Sequence, residues 1–67
     1  MIFHFSELFT IKDGQIKPRH KYKITNDLNL KFAIRSFEEN DQTSFTNAYF
    51  EVVWADNNMV LTKLFLN

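Results

Sequence analysis

The chain has no cysteine, one glycine, one proline and no net charge. Without cysteine, neither a disulfide nor a zinc–thiolate site can staple the fold. With Gly14 as the lone glycine, a glycine-rich phosphate-cradling loop is excluded, and neither a dinucleotide fingerprint nor a P-loop motif is present. No apolar run approaches the roughly 20 residues that a membrane-spanning helix needs. The apolar start, Met1 to Ile11, has no basic leader region, carries Glu7 and offers no small-residue cleavage site, so the expected location is intracellular and cytoplasmic. N-x-S/T sequons are absent.

Sixty-seven residues make one expected domain, 1–67. A chain this short buries only about 60% of its unfolded surface, so its core has to be rich in large side chains. It is: eight Phe, two Tyr and one Trp. A fully buried Phe contributes on the order of 2–3 kcal/mol. Eleven rings are many for so little interior, and part of them is expected to contact another chain.

The neutral total hides a segregation. Residues 1–35 hold seven Lys/Arg against three acids, and residues 36–67 hold Lys63 against five acids, giving +4 and −4. The molecule is a dipole, without the overall positive charge usual for nucleic-acid binders. Near-zero net charge also does nothing to oppose self-association.

Asp13-Gly14 is the clearest local signal. It separates Phe9–Lys12 from Gln15–Lys17, and Asp-Gly is a preferred pair for a two-residue type I′ hairpin turn. Pro18 removes a donor from the second strand and points to an edge, a bulge or a strand that restarts at Arg19. Leu28, Leu30, Phe32 and Ile34 alternate with Asn29, Lys31, Ala33 and Arg35, a period-two pattern that predicts a strand. Residues 38–44 read as a polar loop. Phe45 to Trp54 fits either a helical face capped by Thr43 or Ser44, or a strand, the latter favoured by its β-branched and aromatic residues. Asp56-Asn57-Asn58 is a turn, so 48–54 and 59–66 form a second expected hairpin. Ser6–Phe9 fits one helical turn or a strand continuation. These elements predict a mainly β fold with at most one short helix. The expected form is an antiparallel meander of four to six strands, curled into an open SH3-like or OB-like barrel or packed as a half-sandwich.

Catalysis is not expected. His4 and His20 lie among aromatic and cationic neighbours, with no nucleophile pattern beside them. Glu38, Glu39 and Asp41 lack the spacing and mid-loop glycine of a calcium loop. The reading is therefore no enzyme, no cofactor and no metal.

The pattern that suggests a partner is Lys17, Arg19, Lys21 and Lys23, at every second position. On one strand all four would share a face, with Tyr22 turned the other way. Such a stripe suits an acidic protein surface, a nucleic-acid backbone or a solvated edge that resists unwanted pairing. Tyr22, Trp54 and Phe65 are the candidate aromatic contacts. The apolar run 59–66 either belongs to the core or, at an edge, pairs with a second copy to form a homodimer or with a target by strand addition.

Three functions follow in order. The first is a small non-enzymatic binding protein that occupies a surface on a protein partner. An adaptor or inhibitor of the kind encoded by phages and mobile elements has this size and bareness. The second is a nucleic-acid-binding β domain that uses the basic stripe. The third is a self-associating structural or assembly subunit.

Overall fold

The computed structural model describes residues 1–41 and 44–66. It is mainly β, with six strands in two sheets, neither closed into a barrel. The elements run β1 (Ile2–His4), α1 (Phe5–Leu8, a single turn), β2 (Phe9–Lys12), β3 (Gln15–Pro18), β4 (Tyr22–Ile24) and α2 (Leu28–Glu38). A 3-10 turn (Ser44–Asn47), β5 (Tyr49–Ala55) and β6 (Asn58–Phe65) follow.

Both expected hairpins form. β2 and β3 pair across Asp13-Gly14, whose φ values of 54° and 77° are the positive pair that a type I′ turn requires. β5 and β6 pair across Asp56-Asn57, again with both φ positive, at 51° and 67°. Pro18 ends β3 opposite Phe9. Ser6 belongs to the helical turn α1. His4 caps this turn, its Nδ1 accepting from the Ser6 N–H at 3.2 Å. The helical alternative for 45–54 survives only as the 3-10 turn, after which the chain is extended. Thr43 and Gln42, and with them part of the expected 38–44 loop, lie outside the described residues.

The predicted strand at Leu28–Arg35 is instead the helix α2. Its buried residues are Leu30, Ala33, Ile34 and Phe37, an i, i+3, i+4, i+7 stripe, while Leu28 and Phe32 face solvent. The ends explain why the helix wins. Asp27 Oδ1 accepts from the Leu30 N–H at 3.0 Å, an N-cap. At the other end the Asn40 N–H donates to Phe37 O and the Asp41 N–H to Ser36 O, with Asn40 at φ 59°. That pair of bonds around a left-handed residue is the Schellman closure. The period-two pattern was a by-product of two solvent-facing apolar residues.

The four-stranded sheet has the order β1-β5-β6-β4. All its pairs are antiparallel except β4 on β6, which are parallel. Thus the meander is interrupted: α2 carries the chain away from β4 before β5 and β6 return to complete the sheet. Helix α2 and the β2–β3 hairpin cover one face. Phe5, Phe9, Phe37 and Phe50 meet there with ring centroids 5.0–6.4 Å apart, in geometries that favour aromatic pairs. Asn40 Oδ1 accepts from the Ile16 N–H at 3.0 Å and so ties the end of α2 to β3.

A bulge decides which side chains of β6 enter this core. Val52 opposes Leu61 and Glu51 opposes Lys63, leaving Thr62 as the extra residue. Before it, Met59 and Leu61 point inward. After it, Leu64 packs on the core and Phe65 points out. The Thr62 hydroxyl donates to the Glu51 carboxylate at 2.6 Å, which holds the irregularity in place.

Candidate binding surfaces

The basic stripe is not on one strand. Lys17 lies in β3, Arg19 and His20 in a bend between the sheets, and Lys23 in β4. The expectation that all four cations share a strand face is therefore corrected. The chain leaves one sheet after Pro18 and enters the other at Tyr22, so the alternation does not run through. Arg19 also has a structural task. Its Nε donates to Ser6 O at 3.0 Å and Phe9 O at 3.2 Å, and its N–H donates to Leu8 O at 2.8 Å. It fastens the crossover to the end of α1. Lys17, Lys21 and Lys23 are exposed.

Tyr22 does turn inward. It is half-buried and meets Phe9 edge-on at 5.8 Å. Burial raises the Tyr22 hydroxyl above its ordinary pKa of 10.0, and the nearby Glu38 carboxylate adds to the shift. Tyr22 is thus mostly a wall of the core. Trp54 and Phe65 are surface residues, 57% and 44% exposed.

The crossover forms one side of an open groove of about 740 Å³, lined by Arg19, His20, Lys21, Tyr22 and Lys23 and by Asn58 and Met59 of the facing turn. A second hollow shares His20, Lys21, Asn58 and Met59 with it and extends to Phe3, Glu7 and Trp54. Together they place cations beside an exposed indole. Trp54 opposes Met59 in register, so it belongs to the core-facing side of β5 but overhangs its end.

A separate groove of about 490 Å³ runs between β4 and α2. Ile34 and Ile24 form its floor, and Leu28, Phe32, Lys31 and Arg35 its helix wall. Phe32 is 60% exposed and Leu28 69%. Neither was singled out from the sequence, because the strand reading placed both on a dry face. The signal that could have found them was Asp27 as a cap ahead of the 30, 33, 34, 37 spacing.

The face of the four-stranded sheet away from α2 is the third surface. Tyr49 and Phe65 are cross-strand partners at one end and Val53 and Val60 at the other, with Glu51, Thr62 and Lys63 between them. His4 meets Tyr49 edge-on at 5.0 Å. Strand β6 is central, and Met59–Leu61 is paired on both edges, by β5 and by β4. Edge-to-edge pairing of two copies through that part of 59–66 is therefore closed.

Among the described residues, no group of three or more His, Asp or Glu is placed to hold a metal ion, and no helix is long and apolar enough to cross a membrane. A scan against family models, a search of curated proteins and a search of solved structures each return no match for this chain.

Proposed function

We propose that the chain is a small non-enzymatic binding protein that acts by occupying a surface on a protein partner. One observation carries this reading. Four of the eleven aromatic rings, Phe32, Tyr49, Trp54 and Phe65, stand in solvent around a core already filled by four buried Phe. Large exposed rings cost a small domain solubility, and aromatic residues are enriched where proteins meet. Truncating such a residue at the centre of an interface commonly weakens binding by about tenfold or more.

The test is affinity capture by the tagged chain from a lysate of the cells that produce it. Phe32→Asp, Trp54→Asp and Phe65→Asp are run in parallel. The expected result is a protein retained by the parent chain and lost with at least one variant. Retention of no protein above background refutes the reading.

A second reading, single-stranded nucleic acid, is favoured by the cation-lined groove beside Trp54. Arg19 is committed to backbone carbonyls, so Lys17, Lys21 and Lys23 are left for phosphates. Three such contacts give a slope of log K on log salt of about −2 for a single strand. Absence of any mobility shift at low salt removes this reading.

A further inference from the structure

We propose that the groove between β4 and α2 accepts an extended, acidic segment of the protein partner as an added strand. The inference rests on the protein-binding reading and names the chemistry of the segment bound. Three observations converge on it.

The first is an open edge. β4 is the terminal strand of its sheet. The Thr25 N–H donates to Leu61 O at 3.2 Å, so Lys23 and Thr25 direct their peptide groups toward β6. By strand alternation, the N–H and C=O groups of Tyr22 and Ile24 point the opposite way, to the free edge. No described strand pairs with them. Their complement is another peptide backbone, which a nucleic acid does not supply.

The second is an apolar trough beside that edge. A strand laid along β4 would set every second side chain against Ile24, Leu28, Phe32 and Ile34. Leu28 and Phe32 have no core role, and their exposure is what such a strand would remove.

The third is charge. Lys31 and Arg35 stand on the helix wall, Lys23 lies on β4, and Lys21 precedes it. Glu38, near Tyr22 at the far end, is the single carboxylate lining the groove among the described residues. Lysines on an edge strand discourage indiscriminate pairing. Here Lys23, exposed on β4, also selects Asp or Glu at the solvent-facing positions of an incoming strand, while Lys31 and Arg35 select acids where that strand meets the helix wall.

The experiment pans a random peptide library on the full chain. Selected peptides are then measured against the parent, Phe32→Asp, the pair Lys31→Glu/Arg35→Glu, and Lys12→Glu. Amide hydrogen exchange is followed by NMR. The expected peptides alternate apolar and acidic residues and slow exchange at Tyr22 and Ile24. Binding should weaken about tenfold or more in Phe32→Asp and in the charge-reversed pair, as for a buried interface anchor, and stay unchanged in Lys12→Glu, a charge reversal at an exposed position of the β2–β3 hairpin. Should Phe32→Asp fail to fold by circular dichroism, the charge-reversed pair, on exposed positions, carries the comparison.

Peptides indifferent to both groove variants overturn the strand site. So does protection of the Tyr22 and Ile24 amides by a (dT)20 oligonucleotide or by a second copy of the chain in place of peptide. If the library yields nothing while the lysate capture succeeds, the groove proposal fails and the protein-binding reading stands. If both are empty, both fail.

Discussion

Replacing Arg19 by Met separates the structural cation of the 17–23 segment from the free ones. The substitution keeps most of the apolar stem and deletes the Nε donor shared by Ser6 O and Phe9 O, at 3.0 and 3.2 Å. Hydrogen bonds from a charged donor contribute about 1.5–3 kcal/mol net when shielded. The Ser6 contact is solvent-exposed and the Phe9 contact partly buried, so a loss of about 1–2 kcal/mol is expected for the two together. A chain of 67 residues has a total stability of about 3–10 kcal/mol, so this is a large fraction. In a domain of this size it lowers the melting temperature by about 5–15 °C. With a urea slope of about 1 kcal/mol/M, the midpoint falls by about 1–2 M. Lys17→Met, Lys21→Met and Lys23→Met remove exposed charges whose ammonium groups bond no backbone carbonyl among the described residues, and should stay within about 0.5 kcal/mol of the parent. Urea unfolding followed by circular dichroism on all four variants decides the matter. Arg19→Met indistinguishable from the lysine variants would show that the α1 carbonyls do not hold the crossover. The basic segment would then be a single class of surface charge after all.

Asn40 combines a left-handed backbone with a hydrogen bond to the Ile16 N–H. Asn40→Ala loses both and is expected to cost about 2–3 kcal/mol. Asn40→Gly loses the hydrogen bond alone. Gly avoids about 1–2 kcal/mol of steric cost but gives the unfolded chain about 0.4–1 kcal/mol more entropy, so it should be the milder change in urea unfolding. Equal losses would mean that the helix closure does not depend on the positive φ. Tyr22 makes stability fall at alkaline pH. Its folded pKa is raised above 10.0, first by burial and then by Glu38, so the folded state keeps a proton that the unfolded chain releases. Its contribution is complete below pH 10.0 and is lost as pH rises through the folded pKa. Urea unfolding between about pH 9 and 11.5 should show a steeper decline for the parent than for Tyr22→Phe, and identical slopes would refute the assignment.

Elements closed by local chemistry were readable before any coordinates. Asp13-Gly14 announces its hairpin because a two-residue turn demands positive φ at both positions and few residue pairs supply it. The 49–65 hairpin was legible for the same reason, with Asp56-Asn57 in the equivalent positions. Helix α2 was misread because 28, 30, 32 and 34 satisfy the strand period while 30, 33, 34 and 37 satisfy the helix period. The two patterns share Leu30 and Ile34. What separates them is the hydrogen bonding at the ends, where Asp27 and Asn40 supply a cap and a left-handed closure that a strand does not use. Capping residues therefore carried more information here than apolar periodicity did. The candidate groove followed the same fate, since Phe32 and Leu28 become surface residues only once 28–38 is a helix.

The crossover and the bulge were illegible for a different reason: each depends on contacts distant in sequence. Period-two spacing at 17, 19, 21 and 23 implies a shared face only if one strand contains them all. Arg19 prevents this by bonding to Ser6 and Phe9, which turns the chain from the small sheet into the large one. The bulge at Thr62 likewise needs Glu51 as its acceptor, eleven residues earlier. Without it, uninterrupted alternation from Met59 would send Lys63 and Phe65 into the core and Leu64 out. With it, Leu64 packs inward, and Phe65 joins Tyr49 on the solvent side. One extra residue therefore fixes both the completeness of the core and the composition of a candidate contact face. The aromatic surplus of this chain is thus partitioned by two long-range polar anchors, Arg19 and Thr62, rather than by the hydrophobic pattern itself.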